Sequence, residues 1–219
     1  MQILKDIDAI IFDLDGTLID SMWIWKQIDI DFLEKRGIKL PHDLQKDIEG
    51  MSFTETAQYF IERFDLKEPL KEIQDEWNEM AKLFYRQKIK LKEEAKALIE
   101  YAVSKNIKVG IGTSNSRELL TEVVVAHGIH QYFGSMRTSC EVEKGKPHPD
   151  IFLKVAEDLE VTPKRCLVFE DTHAGVLAAK RAGMKVVAVY DALSEDYQNE
   201  IKADADGFIM SFKDLFVKQ

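Results

Sequence analysis

Polar and apolar residues follow two different periods along this chain. From residue 105 onward, short apolar runs at Ile107–Ile111, Met136–Ser139, Cys166–Phe169 and Val186–Tyr190 alternate with longer stretches whose apolar positions recur at helical spacing. Those stretches are Arg117–His127, Asp150–Leu159 and Ala174–Ala182, and Gly128 and Gly183 stand where two of the helices would close. Near the start, Ile7, Ala9, Ile10, Ile11 and Phe12 read as a further buried strand interrupted only by Asp8, and Phe208–Met210 as an edge strand. Alternating strands and helices predict an α/β fold, a Rossmann-like and mostly parallel sheet with helices on both faces.

Between about Ser21 and Ile89 the strand period disappears. Charged stretches there carry apolar residues at helical spacing, such as Ile28, Phe32 and Leu33, then Ala57, Phe60, Ile61 and Phe64, then Trp77, Met80, Ala81 and Phe84. The expected organisation is an α/β core formed by residues 1–19 and 90–219, with an all-helical cap inserted at 20–89 and a helix Glu93–Ser104 leading back to the sheet. A chain of 219 residues is long enough for both.

Charge narrows the partners. With 39 acidic residues against 30 Lys and Arg, the net charge of −9 argues against general binding to nucleic acid or to an anionic membrane. A small molecule is the expected partner, with no obligatory protein partner implied. Cys140 and Cys166 are too few for a disulfide framework and do not have a zinc spacing. Together with the lack of a signal-peptide pattern at Met1–Asp6 and of a membrane-length apolar run, they lead us to expect a cytoplasmic setting.

Candidate chemistry is concentrated in the polar segments at the strand ends. In a parallel sheet ligands bind at the carboxyl ends, where the first strand meets Asp13-Leu14-Asp15-Gly16-Thr17-Leu18. Such a turn sets a nucleophile and a proton donor side by side, although acids before Gly also make ordinary turns and helix caps. Val109–Gly112 runs into Thr113, Ser114, Asn115 and Ser116 at a helix N-terminus, a place for an anion or simply an N-cap. Lys146 is held in a loop between Gly145 and two prolines, and Leu167–Phe169 runs into Glu170-Asp171-Thr172. If the sheet is parallel, Asp13, Asp15, Thr113, Lys146, Glu170 and Asp171 converge on one edge. Four neighbouring carboxylates need more countercharge than one lysine supplies, which calls for a hard cation with oxygen ligands and favours Mg²⁺. Such a group of residues can transfer a phosphoryl group by carboxylate attack.

In the order and context of these segments, essentially the whole chain resembles the haloacid dehalogenase superfamily, in its phosphatase and β-phosphoglucomutase-like branch. The resemblance implies that Asp13 attacks phosphorus to form an aspartyl-phosphate. Asp15 would protonate the leaving oxygen and then activate water. Thr113, with Ser114, Asn115 and the N–H groups of that turn, would hold phosphate oxygens, and Lys146 would bridge nucleophile and phosphate. Asp13, the Asp15 carbonyl and Asp171 would hold Mg²⁺, with Glu170 a direct or water-mediated partner. The expected activity is a Mg²⁺-dependent phosphatase acting on a small phosphorylated metabolite, and the alternative is a phosphosugar mutase. β-Phosphoglucomutases carry basic residues around a cap Gly loop and a His on the first cap helix. Here the matching stretches, Glu49-Gly50-Met51-Ser52-Phe53 and Ser21-Met22-Trp23-Ile24-Trp25, hold neither. Gly50, Met51, Ser52 and Met22 are the expected substrate-facing cap residues, while Trp23 and Trp25 fit either a pocket wall or the cap core. His42 and His130 read as loop residues, and His148 and His173 have no ligand partner at metal spacing.

Overall fold

A computed structural model describes residues 2–216. Strand β1 (Ala9–Phe12) leads into a two-residue strand β2 (Ile19–Asp20) and then four helices, α1 (Met22–Glu34), α2 (Leu44–Ile48), α3 (Phe53–Phe64) and α4 (Leu70–Gln87). Strand β3 (Lys90–Leu91) runs antiparallel to β2, pairing Ile19 with Leu91 and Asp20 with Lys90, so the chain leaves and re-enters the sheet region through one two-stranded ribbon. Next come α5 (Ala95–Ser104), β4 (Lys108–Thr113), α6 (Arg117–Ala126), β5 (Ser135–Thr138), α7 (Asp150–Asp158), β6 (Cys166–Glu170), α8 (His173–Arg181), β7 (Lys185–Val189), α9 (Gln198–Asp204) and β8 (Gly207–Ile209).

The six core strands are ordered β5-β4-β1-β6-β7-β8, and every neighbouring pair is parallel. The expected α/β sheet with an all-helical insertion is therefore the observed fold. Alternation along β1 shows why the sheet has helices on both faces. Ile10 and Phe12 pack with α5 and α6 through Leu98, Ile99, Leu119 and Val123, while Ala9 and Ile11 pack with α7 and α8 through Ile151, Phe152 and Val176. Asp8 does not interrupt the strand. It lies just before it, half exposed, and pairs with Arg165.

The helical insertion has its own aromatic centre. Phe32, Phe60 and Trp77 meet edge to face at 4.9–5.9 Å, with Phe53 against Trp77 at 5.6 Å. This layer is continuous with the sheet's core on the α5/α6 side. Trp23 stands outside it, 46% exposed, with its ring edge to face against Phe84. No described helix is long and apolar enough to cross a membrane.

Candidate active site

Adjacent parallel strands in matched register bring their carboxyl ends level. Phe12 pairs with Ile111 on one side and Phe169 on the other, so Asp13, Thr113 and Glu170 emerge together, with Lys146 arriving from the loop before α7. The Asp13 N–H still donates to the Phe169 carbonyl at 2.9 Å, which fixes the first carboxylate to the sheet. At Gly16 the chain turns with φ +79°, and a Cβ there would lie 2.1 Å from Asp171 Oδ2, so only glycine fits.

Lys146 is the centre of the buried charges. Its Nζ lies 2.5 Å from Asp13 Oδ1 and 2.6 Å from Glu170 Oε1, all three side chains being almost fully buried. The other Glu170 oxygen accepts from the Asp171 and Thr172 N–H groups at 2.8 Å and from Thr172 Oγ1 at 3.0 Å. Both Glu170 oxygens are thus engaged in ordering the loop and the lysine. Asp171 accepts from Thr17 Oγ1 at 2.8 Å through Oδ1, while its Oδ2 is buried without a partner. Oxygens of Asp13, Glu170 and Asp171 lie within 4.8 Å of one another.

Burial dominates the electrostatics. It pushes the Asp13 carboxyl up to about 8 against the pull of Lys146, with Glu170 adding repulsion. Asp171 is raised well above the ordinary carboxylate range by burial and then by Glu170 and Asp13. Burial alone would lower the Lys146 ammonium, but the two flanking carboxylates hold it above its usual value. A buried orphan oxygen beside two acids that resist ionising fits a divalent cation.

Asp15 faces the other way. Its carboxylate accepts from Ser21 Oγ at 2.6 Å, Asn115 Nδ2 at 2.7 Å, Trp25 Nε1 at 3.3 Å and the Tyr85 hydroxyl. Tyr85 in turn accepts from Trp25 Nε1 at 2.7 Å and Asn115 Nδ2 at 2.9 Å, and burial with Asp15 beside it raises its hydroxyl well above the ordinary phenol value. Both hydrogens of the Asn115 amide thus go to Asp15 and Tyr85, and its Oδ1 accepts the Ser116 N–H at 2.6 Å, while the residue lines the cavity beside Thr113. Ser114 lines the cavity and is tied to the cap loop. Its Oγ donates to the Gly50 carbonyl at 3.3 Å and its own carbonyl accepts from Phe53 N–H at 2.9 Å, closing the cap loop onto the sheet edge. Thr113 is buried at the end of β4, its Oγ1 accepting the Asn115 N–H at 3.1 Å.

A cavity of about 520 Å³ lies between sheet edge and helices. Asp13, Asp15, Thr113 and Lys146 form its floor, and Met22, Trp25, Gly50 and Met51 line the cap side. Ser52 is not on its wall, because its hydroxyl accepts from Glu55 N–H in a capping box that starts α3. Glu49 is also engaged, its Oε1 accepting the Ala174 N–H at 2.8 Å at the start of α8. The sequence pattern did not reveal Tyr85 or the cavity-facing role of Asp29, Gln45, Lys26, His42 and Lys46. Tyr85 follows Trp77 and Ala81 at the same helical spacing, which signals a buried face but not a hydroxyl aimed at Asp15. Lys26 and Lys46 place exposed cations at the cavity although the Gly50 loop has none.

This fold is the Rossmann-like α/β fold of the haloacid dehalogenase-like hydrolases. Residues 10–189 match the haloacid dehalogenase-like hydrolase family, and the chain belongs to it. It is 30% identical over 189 residues to a phosphorylated carbohydrates phosphatase of Thermotoga maritima, covering 86% of this chain and 88% of that protein. It is also 36% identical over 211 residues to a bifunctional riboflavin kinase/FMN phosphatase of Arabidopsis thaliana, covering 94% of this chain and 54% of that longer one. Among solved structures, CbbY from Rhodobacter sphaeroides in complex with phosphate shares the fold, with a TM-score of 0.83, 23% identity, and 94% and 95% of the two chains covered. The protein is a phosphoric monoester hydrolase of this family.

Proposed function

We propose that this enzyme hydrolyses a small phosphorylated metabolite through an aspartyl-phosphate on Asp13, with Mg²⁺ as its metal. The observation that carries this reading is the division of the two acids: Asp13 is bound to Lys146, and Asp15 is held by four donors on the opposite side. An Asp13 oxygen would form the bond to phosphorus while the ester oxygen leaves with a proton from Asp15. Water would then attack the acyl phosphate, giving its proton back to Asp15 and releasing phosphate. Lys146 would neutralise charge on the transferring group, and the N–H groups after Thr113 would receive its oxygens.

Asp13, Asp171 and the Asp15 carbonyl would hold the cation, with Glu170 fixing Lys146 and the loop. When bound, Mg²⁺ supplies charge neutralisation for the phosphate dianion. Residues 20–89 would act as the module that closes over the substrate. Two free cysteines suit a reducing, cytoplasmic setting.

Release of inorganic phosphate from an aryl phosphate, complete with Mg²⁺ and absent with excess chelator, tests the proposal. Full activity in chelator would refute it. The mutase reading gains one observation, the cations Lys26 and Lys46 around the cavity. Conversion of a sugar 1-phosphate to its 6-phosphate faster than phosphate release would make it the better account.

A further inference from the structure

The roof of the cavity carries polar groups that the chemistry at its floor does not use. Asp29, one helical turn beyond Trp25 on α1, lines the cavity though only 6% of it is exposed. Gln45 Nε2 donates to its Oδ2 at 2.6 Å, and among the described residues neither a bond to Oδ1 nor a cationic partner is found. With nothing but Gln45 to offset burial, the carboxyl is pushed up to about 7. Trp25, Phe53 and Trp77 line the same cavity and give it an aromatic side, with Trp25–Phe53 at 6.1 Å and Phe53–Trp77 at 5.6 Å. Asp29 Oδ1 is therefore an acceptor open to a ligand's donor on the cavity wall.

We propose that Asp29 and Gln45 form a distal recognition pair for the leaving group, Asp29 Oδ1 accepting a ring N–H and the second Gln45 Nε2 hydrogen donating to a neighbouring carbonyl. The substrate class is then a phosphomonoester of a flat, neutral heterocycle of the imide or lactam kind. This rests on the phosphatase reading above and deepens it. Aromatic walls favour a planar ring, which offers them a flat face that an open polyol lacks. An alkylammonium would satisfy Asp29 but leave the Gln45 hydrogen facing a cation. A second phosphate would meet the Asp29 carboxylate.

The test compares uridine 5′-phosphate with its N3-methyl analogue, which lacks the donor. For the parent protein, kcat/KM should favour the unmethylated substrate by about tenfold or more. In Asp29→Asn, Gln45 keeps the remaining oxygen and turns the amide N–H₂ towards the ligand, so the ratio should fall to near one. Calorimetric binding of the same two nucleotides in chelator, where no turnover occurs, should show the same discrimination. A parent ratio near one, or a ratio unchanged in Asp29→Asn, overturns the pair. Loss of all hydrolysis with binding discrimination intact would sink the phosphatase reading and leave the pair standing.

Discussion

Asp13 and Asp15 are two residues apart and chemically unlike, because one faces the sheet's buried charges and the other a ring of neutral donors. Asp13→Asn should therefore yield no phosphoenzyme at all. Asp15→Asn should still be phosphorylated by a substrate with a good leaving group and then hydrolyse slowly, seen as a burst followed by a slow phase. Equal loss of phosphoenzyme in both would remove the assignment of roles. Tyr85→Phe deletes a donor to Asp15, and we expect kcat to fall roughly tenfold on an alkyl phosphate but less on an aryl phosphate, whose leaving oxygen depends less on proton delivery. An equal fall on both would assign Tyr85 a packing role. Asp29 gives a pH signature. Its carboxyl titrates near 7 in the folded protein and near 3.8 when unfolded, so the folded state binds the proton more tightly. Stability from this group is full below pH 4 and is lost as pH rises towards 7, by at most about 4 kcal/mol. Asp29→Asn should thus raise Tm relative to the parent at pH 8 and leave it little changed at pH 4. A variant less stable than the parent at pH 8 would contradict this.

Elements position these residues from opposite sides. β1, β4 and β6 deliver the floor in register, while α1 and α4 bring Trp25 and Tyr85 down onto Asp15. The loop between α2 and α3 seals the joint through Glu49 and Gly50. Gly50 has φ +79°, and a Cβ there would lie 2.6 Å from the Ala174 Cβ and 2.8 Å from the Lys146 carbonyl. Replacement of Gly50 by Val should force this loop off the sheet edge and reduce kcat/KM at least tenfold on the phosphate-releasing reaction, with circular dichroism showing the fold retained. Unaltered kinetics would mean that the closed arrangement is not needed for turnover.

At the scale of the whole molecule, the sheet edge concentrates negative charge that the protein itself leaves short of countercharge. Mg²⁺ should accordingly raise Tm in a concentration-dependent way, and Asp171→Asn should weaken that shift at least tenfold in apparent affinity. An undiminished shift in the variant would place the cation elsewhere. With a net charge of −9, the proposed anionic substrate would have to be admitted by the local charge of Lys146 and not by the field of the whole surface.

Local pattern was enough for the six core strands, the longer helices and the four polar segments, but not for the β2/β3 ribbon, α2 or α9, since apolar period and strand-end position are properties of neighbouring residues and such short elements carry too little of either. Strand ends moved by one or two positions, as at Ser135–Thr138, without changing which polar group comes next. The convergence of Asp13, Lys146 and Glu170 was legible because parallel strands in a βαβ chain must end on one edge. What each polar atom does there was not legible. Asn115 bonds Asp15, Ser52 caps a helix and Glu49 accepts from Ala174, because a side chain's partner is set by whatever the other domain-forming segments bring within hydrogen-bond reach. Tyr85 meets Asp15 across 70 residues of sequence, and Asp29 meets Gln45 from another helix. Such pairings depend on how helices pack on the sheet, and only the tertiary structure decides that.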